Sequence, residues 1–333
     1  MHFSLIICTY MRPKAILTLL NSVKEQRLYP NEIIIIDGSL NDYTSEVLEK
    51  NQFDNLKYYK VDKKDRGLTK QRNFGISKVS DNIDIVCFLD DDIILTNDYF
   101  KNLINTYQIY PDAVGVGGRI INEVKWRKLK SGEQSTFNEY EIDGYARNLG
   151  RRNVIRKKLG LLSDKPPCFM PEYSNGFSVG NLPPSDKTYE AEYFMGGVSS
   201  FKKEVVLNIK FSEYFEGYGL YEDLEYCLRV SEKYKLYVNT AATLYHYHEE
   251  GGRPNKYLYG KMVIKNGWYV WRTKYSNPSL KARLKWNMIV LLLLSLRIGN
   301  VFTTKKKREA LTESLGRFVG WCTLVLVKPK LLK

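Results

Sequence analysis

Ile83-Asp84-Ile85-Val86-Cys87-Phe88-Leu89-Asp90-Asp91-Asp92 is an apolar run that stops abruptly at three acids. A short run of this kind, rich in β-branched residues and closed by polar ones, reads as a strand buried on both faces. Two earlier runs have the same form: Phe3-Ser4-Leu5-Ile6-Ile7-Cys8, closed by Thr9, and Glu32-Ile33-Ile34-Ile35-Ile36, closed by Asp37. Leu56 to Tyr59 alternates more weakly as a further strand. Helical spacing lies between the strands. Pro13 to Gln26 carries Ile16, Leu19, Leu20 and Val23 on one face, and shorter helices are predicted at Asn41 to Lys50 and Thr69 to Ser77. This alternation predicts an α/β fold with a mostly parallel sheet and helices on both faces.

In such sheets ligands bind at the carboxyl ends of the strands. The residues there are Thr9, Asp37 and the run Asp90, Asp91, Asp92. A lone Asp after a strand is commonly a turn former or helix cap. Three in succession raise one another's pKa and cost stability unless a cation sits among them, so the run points to a metal.

Residues 113–121 read as another strand. From 122 to about 190 periodicity is poor, prolines gather at 166, 167, 171, 183 and 184, and basic residues gather at 147–158. A stretch this long without clear elements is usually functional, and it is read as an insertion over the site. Order returns at 193–201 and in a short helix at 202–208. The helix that follows opens with Glu222 and Asp223, where the helix dipole favours negative charge whether or not the acids do chemistry. Residues 235–248 read as a strand, a turn and a second strand, which sets His246 and His248 on one face at a workable metal-ligand spacing.

Composition narrows the class. The 333 residues suffice for one large α/β domain or two smaller ones, and 44% hydrophobic with 26% charged residues argue against a largely disordered chain. Five scattered cysteines without a CxxC pair argue against a disulfide scaffold or a zinc–cysteine cage and fit a reducing compartment. The start, MHFSLIICTYMRPK, has no basic region followed by an apolar stretch and a small-residue cleavage site, so no secretory leader is expected. The net charge of +14 is concentrated: residues 274–333 hold 13 Lys/Arg and two acids, Glu309 and Glu313.

Taken in order, CTYMRP (8–13), IIIIDGS (33–39), RGLTKQRNFGI (66–76), CFLDDDI (87–93), FMGGVSSFKKEV (194–205), YEDLEYCLR (221–229) and a final histidine resemble the family 2 glycosyltransferases of GT-A fold, over roughly residues 3–250. The resemblance implies a Rossmann-like sheet with a C-terminal helical extension, and a bacterial enzyme of cell-surface polysaccharide synthesis. Thr9, Tyr10 and Asp37 would hold the nucleotide base, and Arg72 would contact the donor. Asp90 or Asp91 would lie near the ribose, with Asp92 on a divalent cation, Mg²⁺ or Mn²⁺. His246 fits the family's metal-side histidine best, with His248 as the alternative. Gly196 and Gly197 would face acceptor and donor sugar. Glu222 and Asp223 match an acid pair whose Asp is the catalytic base, although Tyr221 replaces the glycine of the commoner Gly-Glu-Asp form. The implied reaction is metal-dependent and inverting. It takes a nucleotide sugar, with UDP-sugars the family's most frequent donors, to a glycan or polyprenyl-diphosphate-linked acceptor. The corresponding division of the chain is 1–121 for the nucleotide sugar, 122–190 as the acceptor-side insertion, 191–276 for acceptor and base, and 277–333 as basic, apolar helices.

In that last segment a helix is predicted from Asn277 to about Arg297, and Phe318 to Val327 is a second apolar stretch. Each is short for a membrane span, and both are bordered by Lys/Arg, which suits an interfacial position on an anionic membrane. Packing on the catalytic domain is the plainer alternative. The expected place is cytoplasmic, peripheral on the inner face of the cell membrane. Nucleic acid is not an expected partner, because the basic residues interleave with aliphatic runs and not with stacking aromatics. Two other functions stay open. A sugar-1-phosphate nucleotidylyltransferase would need a glycine-rich loop where CTYMRP stands, and a non-catalytic sugar-binding scaffold of the same fold would have no use for the acids that are present.

Overall fold

The computed structural model describes residues 1–215, 217–248 and 254–332. The chain divides into two compact units, Met1–Lys125 with Ser178–Gly252 and Trp126–Phe177 with Arg253–Lys333.

The first unit is built on β1 (Phe3–Thr9), β2 (Glu32–Asp37), β3 (Leu56–Lys60) and β4 (Ile85–Asp90), which lie in the order β3-β2-β1-β4 and are parallel throughout. The helices α1 (Pro13–Lys24), α2 (Tyr43–Lys50) and α3 (Leu68–Ile76) connect them. Beyond β4 come β5 (Ile93–Leu95), α4 (Tyr99–Ile109) and β6 (Ala113–Ile120). Alternation decides the layers. Leu5, Ile7, Ile33, Ile35, Cys87 and Leu89 point to the side that packs on Leu19 and Leu20 of α1 and on Phe100 and Leu103 of α4. On the other side α3 approaches so closely that a Cβ at Gly75 would stand 2.8 Å from Ile6. Each fully buried aliphatic side chain here contributes about 1.5–3 kcal/mol.

The second unit opens with a small antiparallel sheet of β7 (Arg127–Lys128), β8 (Glu139–Ile142) and β9 (Tyr145–Asn148), followed by α5 (Gly150–Lys158). The segment read as irregular over 122–190 therefore carries structure too short to show a period. The last of its strands, β10 (Thr188–Ala191), returns to the large sheet.

The remaining elements of the first unit are β11 (Val198–Lys202), α6 (Lys203–Asn208), α7 (Glu222–Ser231) and β12 (Lys235–His246). β11 is inserted antiparallel between β4 and β6 and is the one strand that interrupts the parallel order at the sheet's centre. Residues 235–246 form one strand, not two. The expected turn is a register irregularity between Val238 and Thr243, where β12 pairs with β6.

Three long helices complete the second unit: α8 (Lys256–Lys274), α9 (Leu280–Thr303) and α10 (Lys307–Leu326). α9 begins later than predicted because the Ser279 hydroxyl, not Pro278, sets its start by accepting from the Ala282 N–H at 3.1 Å. The backbones of α8 and α10 touch: a Cβ at Gly316 would stand 2.0 Å from the Tyr257 carbonyl oxygen, and one at Gly260 2.3 Å from that of Glu313.

Candidate active site

Every residue singled out as a site candidate lies in the first unit, at or beside the carboxyl ends of its strands. β1 and β2 are in parallel register with Thr9 beside Asp37. Asp37 is wholly enclosed; its Oδ1 accepts from the Ser39 N–H at 2.7 Å and its Oδ2 from the Tyr58 hydroxyl at 2.8 Å. Tyr10, one residue past the strand, is exposed.

The three acids part ways where β4 ends at Asp90 and gives way to a turn at Asp91 and Asp92. Asp91 turns inward, where its Oδ2 accepts from the Thr9 hydroxyl at 2.7 Å and its Oδ1 from Arg12 at 2.8 Å. Burial nevertheless pushes its carboxyl up to about 6, against the pull of Arg12. Asp90 and Asp92 turn the other way and meet His246 from the end of β12: each of the three offers a ligand atom, all within 4.8 Å of one another. His246 Nε2 is 3.1 Å from Asp92 Oδ1, and its Nδ1 is 3.0 Å from Glu123 Oε1. Burial pulls this imidazole down, but the bonds to Asp92 and Glu123 outweigh it and lift it to about 10. Two carboxylates and an imidazole form a donor set suited to a divalent ion. Glu123, His246 and exposed His248 form a second group whose ligand atoms lie within 4.8 Å of one another. Glu123 carries no motif and stands alone in its stretch of sequence, so pattern reading did not find it.

Gln71, Arg72 and Asn73, in the first turns of α3, form three cross-links. Gln71 donates to the carbonyls of Thr9 and Ile36 and so pins the ends of β1 and β2 together. Asn73 exchanges two hydrogen bonds with the Phe211 backbone. Arg72 is 2% exposed, between the rings of Phe88 and Phe211, and its guanidinium pairs with Glu222 and stands 3.5 Å from Asp90. Burial pushes the Glu222 carboxyl up to about 8 despite Arg72, and neighbouring Asp223 adds to the rise. Glu222 Oε2 has no hydrogen-bond partner among the described residues.

Asp223 is less buried than Glu222 and is fixed by backbone donors, the Gly196 N–H at 3.0 Å and the Leu224 N–H at 2.8 Å. The glycine pair is needed for space. A Cβ on Gly197 would stand 2.1 Å from the Asp90 carboxylate, and one on Gly196 2.7–2.9 Å from Arg72, Asp223 and Glu222. Tyr221, which precedes the acids, has φ +70, the left-handed region that glycine adopts freely.

These residues thus form one connected group: Asp92 and His246 beside Asp90, Asp90 against Gly197 and Arg72, Arg72 on Glu222, and Asp223 on Gly196. The model of glycosyl transferase family 2 matches residues 4–170, which is half of the chain. The chain belongs to that family. Among curated relatives, a glucosyl-dolichyl phosphate glucuronosyltransferase of Haloferax volcanii is 29% identical over 131 residues, 38% of this chain and 41% of the relative. The O-antigen chain rhamnosyltransferase RfbN of Salmonella typhimurium is 32% identical over 105 residues, 31% of this chain and 32% of the relative. The chain thus aligns with less than half the length of either. Among solved structures, S. aureus TarS residues 1–349 superpose with a TM-score of 0.52 at 16% identity, covering 98% of this chain and 81% of that one. That likeness concerns the fold, a GT-A-type α/β architecture with a mostly parallel sheet and a C-terminal helical region, as expected for family 2.

Proposed function

We propose that this protein is an inverting, metal-dependent glycosyltransferase that moves a sugar from a nucleotide-sugar donor to a hydroxyl of a glycan or lipid-linked acceptor in surface polysaccharide synthesis. The observation that carries this reading is the convergence of Asp90, Asp92 and His246 with Gly197 and Asp223 at one rim of the sheet.

In this reading Thr9, Tyr10 and Asp37 form the base end of the donor site, and Asp90 or Asp91 lies near its ribose. Arg72 acts on the donor through Asp90. Asp92 and His246 hold Mg²⁺ or Mn²⁺, with His248 as the alternative ligand. When bound, such a cation neutralises charge on the leaving diphosphate as a Lewis acid. Asp223 takes the proton of the acceptor hydroxyl as its oxygen bonds to the anomeric carbon and the bond to the diphosphate breaks. General-base assistance of this kind is worth about 10²–10⁴-fold. Glu222, held neutral beside Arg72, leaves Asp223 as the acid free for that work. Gly196 and Gly197 border the sugars. Residues 1–121 supply the nucleotide-sugar half, 191–276 the base and acceptor half, and 122–190 bears on acceptor choice. A polyprenyl-diphosphate-linked acceptor and a station on the cytoplasmic face of an anionic cell membrane complete the proposal.

The test is release of nucleoside diphosphate from a panel of nucleotide sugars, UDP-sugars first, with and without Mn²⁺. Release that requires the cation and disappears in Asp223→Asn supports the assignment. Full activity after EDTA treatment removes the metal from it, and normal turnover by Asp223→Asn removes the base.

A further inference from the structure

α9 is the one described helix long and apolar enough to cross a membrane by length and composition. Its surface tells against a span. The exposed residues of α9 include Leu284, Met288, Leu291, Ser295, Ile298 and Phe302, spaced alternately four and three apart. α10 repeats the pattern with Leu311, Leu315, Phe318, Cys322 and Val325, again exposed. Trp321 Nε1 donates to Asn287 Oδ1 at 2.9 Å, and Arg297 pairs with Glu313 at 2.7 Å, which fixes an antiparallel register. In that register Leu291 is level with Phe318, and Ile298 with Leu311. At about 100° per residue, Asn287 and Trp321 each sit to the same rotational side of their own stripe. Because the helices run in opposite directions, the two stripes then face the same way. They form a single apolar surface two helices wide. The opposite faces are occupied: Ala282 and Ile289 pack on Leu161 and Tyr173, and Gly316 is against α8.

Charge names the occupant. Between Trp286 and Thr303 on α9, and between Ala310 and Val327 on α10, no exposed residue is charged. Lys305, Lys306, Lys307 and Arg308 stand at one end of the surface, and Lys281, Arg283, Lys328 and Lys330 at the other, all exposed. The two acids of the hairpin leave most of this charge unanswered: Glu313 is buried between Arg297 and Arg317, and Glu309 pairs with Lys256 and Lys306. A second copy of the chain would bring like charge against like charge. An anionic lipid leaflet offers hydrocarbon to the stripes and phosphates to both ends.

We infer that α9 and α10 lie side by side in the plane of a single anionic leaflet, stripes inward, and that α9 does not cross it. The inference rests on the membrane-side station proposed above, but its test reads lipid binding, so its failure is distinct from failure of sugar transfer.

Full-length protein is floated with vesicles of one part phosphatidylglycerol to two parts phosphatidylcholine, and with phosphatidylcholine alone. Binding is expected to the anionic vesicles only, to fall in high salt and to be released by alkaline carbonate. Leu291→Glu and Phe318→Glu are each expected to weaken it about tenfold, and reversal of Lys305, Lys306 and Lys307 to Glu about a hundredfold, with unchanged circular dichroism. Carbonate-resistant binding would mean a span and overturn the inference. So would equal binding by the stripe variants, or a vesicle-free dimer split by Phe318→Glu with no flotation.

Discussion

Arg72 and Glu222, 150 residues apart in the chain, form a hydrogen-bonded pair closed to solvent on both sides. It ties α3 to the start of α7, and through Asp90 it ties both to the end of β4. Removing Arg72 leaves the buried Glu222 carboxyl without its donor, at about 1–3 kcal/mol. Arg72→Met is therefore expected to lower stability by that order in urea unfolding, and Arg72→Lys by less.

The same pair gives a pH dependence. The Glu222 carboxyl stands at about 8 in the folded protein against an ordinary value of 4.5. Over that window the folded protein retains a proton that the unfolded chain releases, so stability falls as pH rises from about 4.5 to 8. Glu222→Gln, which mimics the protonated acid, is expected to flatten this part of the curve of Tm against pH. An unchanged slope would show that Glu222 is ionised in the fold.

Asp223→Asn is expected to lower kcat by about 10²–10⁴-fold while donor affinity stays near its original value. The Gly196 and Leu224 N–H groups donate to different oxygens of Asp223, so Asn keeps only one of the two bonds, and the fall in kcat is read against the measured Tm. Steady-state kinetics with a thermal-shift control separate loss of chemistry from loss of folding.

Glu123 offers a means to settle the histidine ligand. It bonds His246 Nδ1 and thereby aims Nε2 at Asp92. Partners of this kind typically affect metal affinity by about 10–100-fold. Glu123→Gln and His246→Ala are expected to weaken Mn²⁺ binding, read by calorimetry or electron paramagnetic resonance, whereas His248→Ala is expected to change it little. A larger loss for His248→Ala would reverse the assignment.

Gly197→Ala places a methyl where the Asp90 carboxylate now stands. Donor binding in the presence of cation is expected to fall sharply, as seen by the loss of the donor-induced rise in Tm.

The apolar strands and α1 were legible because burial on both faces writes itself as uninterrupted aliphatic runs, and one-faced burial as the Ile16, Leu19, Leu20, Val23 spacing. The acids after β4 were legible because three carboxylates together are costly. β7 to β9 were not, since strands of two to four residues leave no period. Nor was α8, where Trp268, Tyr269, Val270 and Trp271 are all buried and the apolar face is not a stripe. Glu123 and Arg12 gain meaning only from side chains that the fold brings to them.

β11 has a consequence for how the protein is handled. Val198 sits opposite Leu89, and the Gly197 carbonyl accepts from the Asp90 N–H at 3.2 Å. A shift of that strand by one position would turn every side chain over and carry Gly197 away from Asp90. Spectroscopic strand content would scarcely change. Cation binding is thus the sharper gauge of whether a refolded or truncated preparation has assembled its centre correctly.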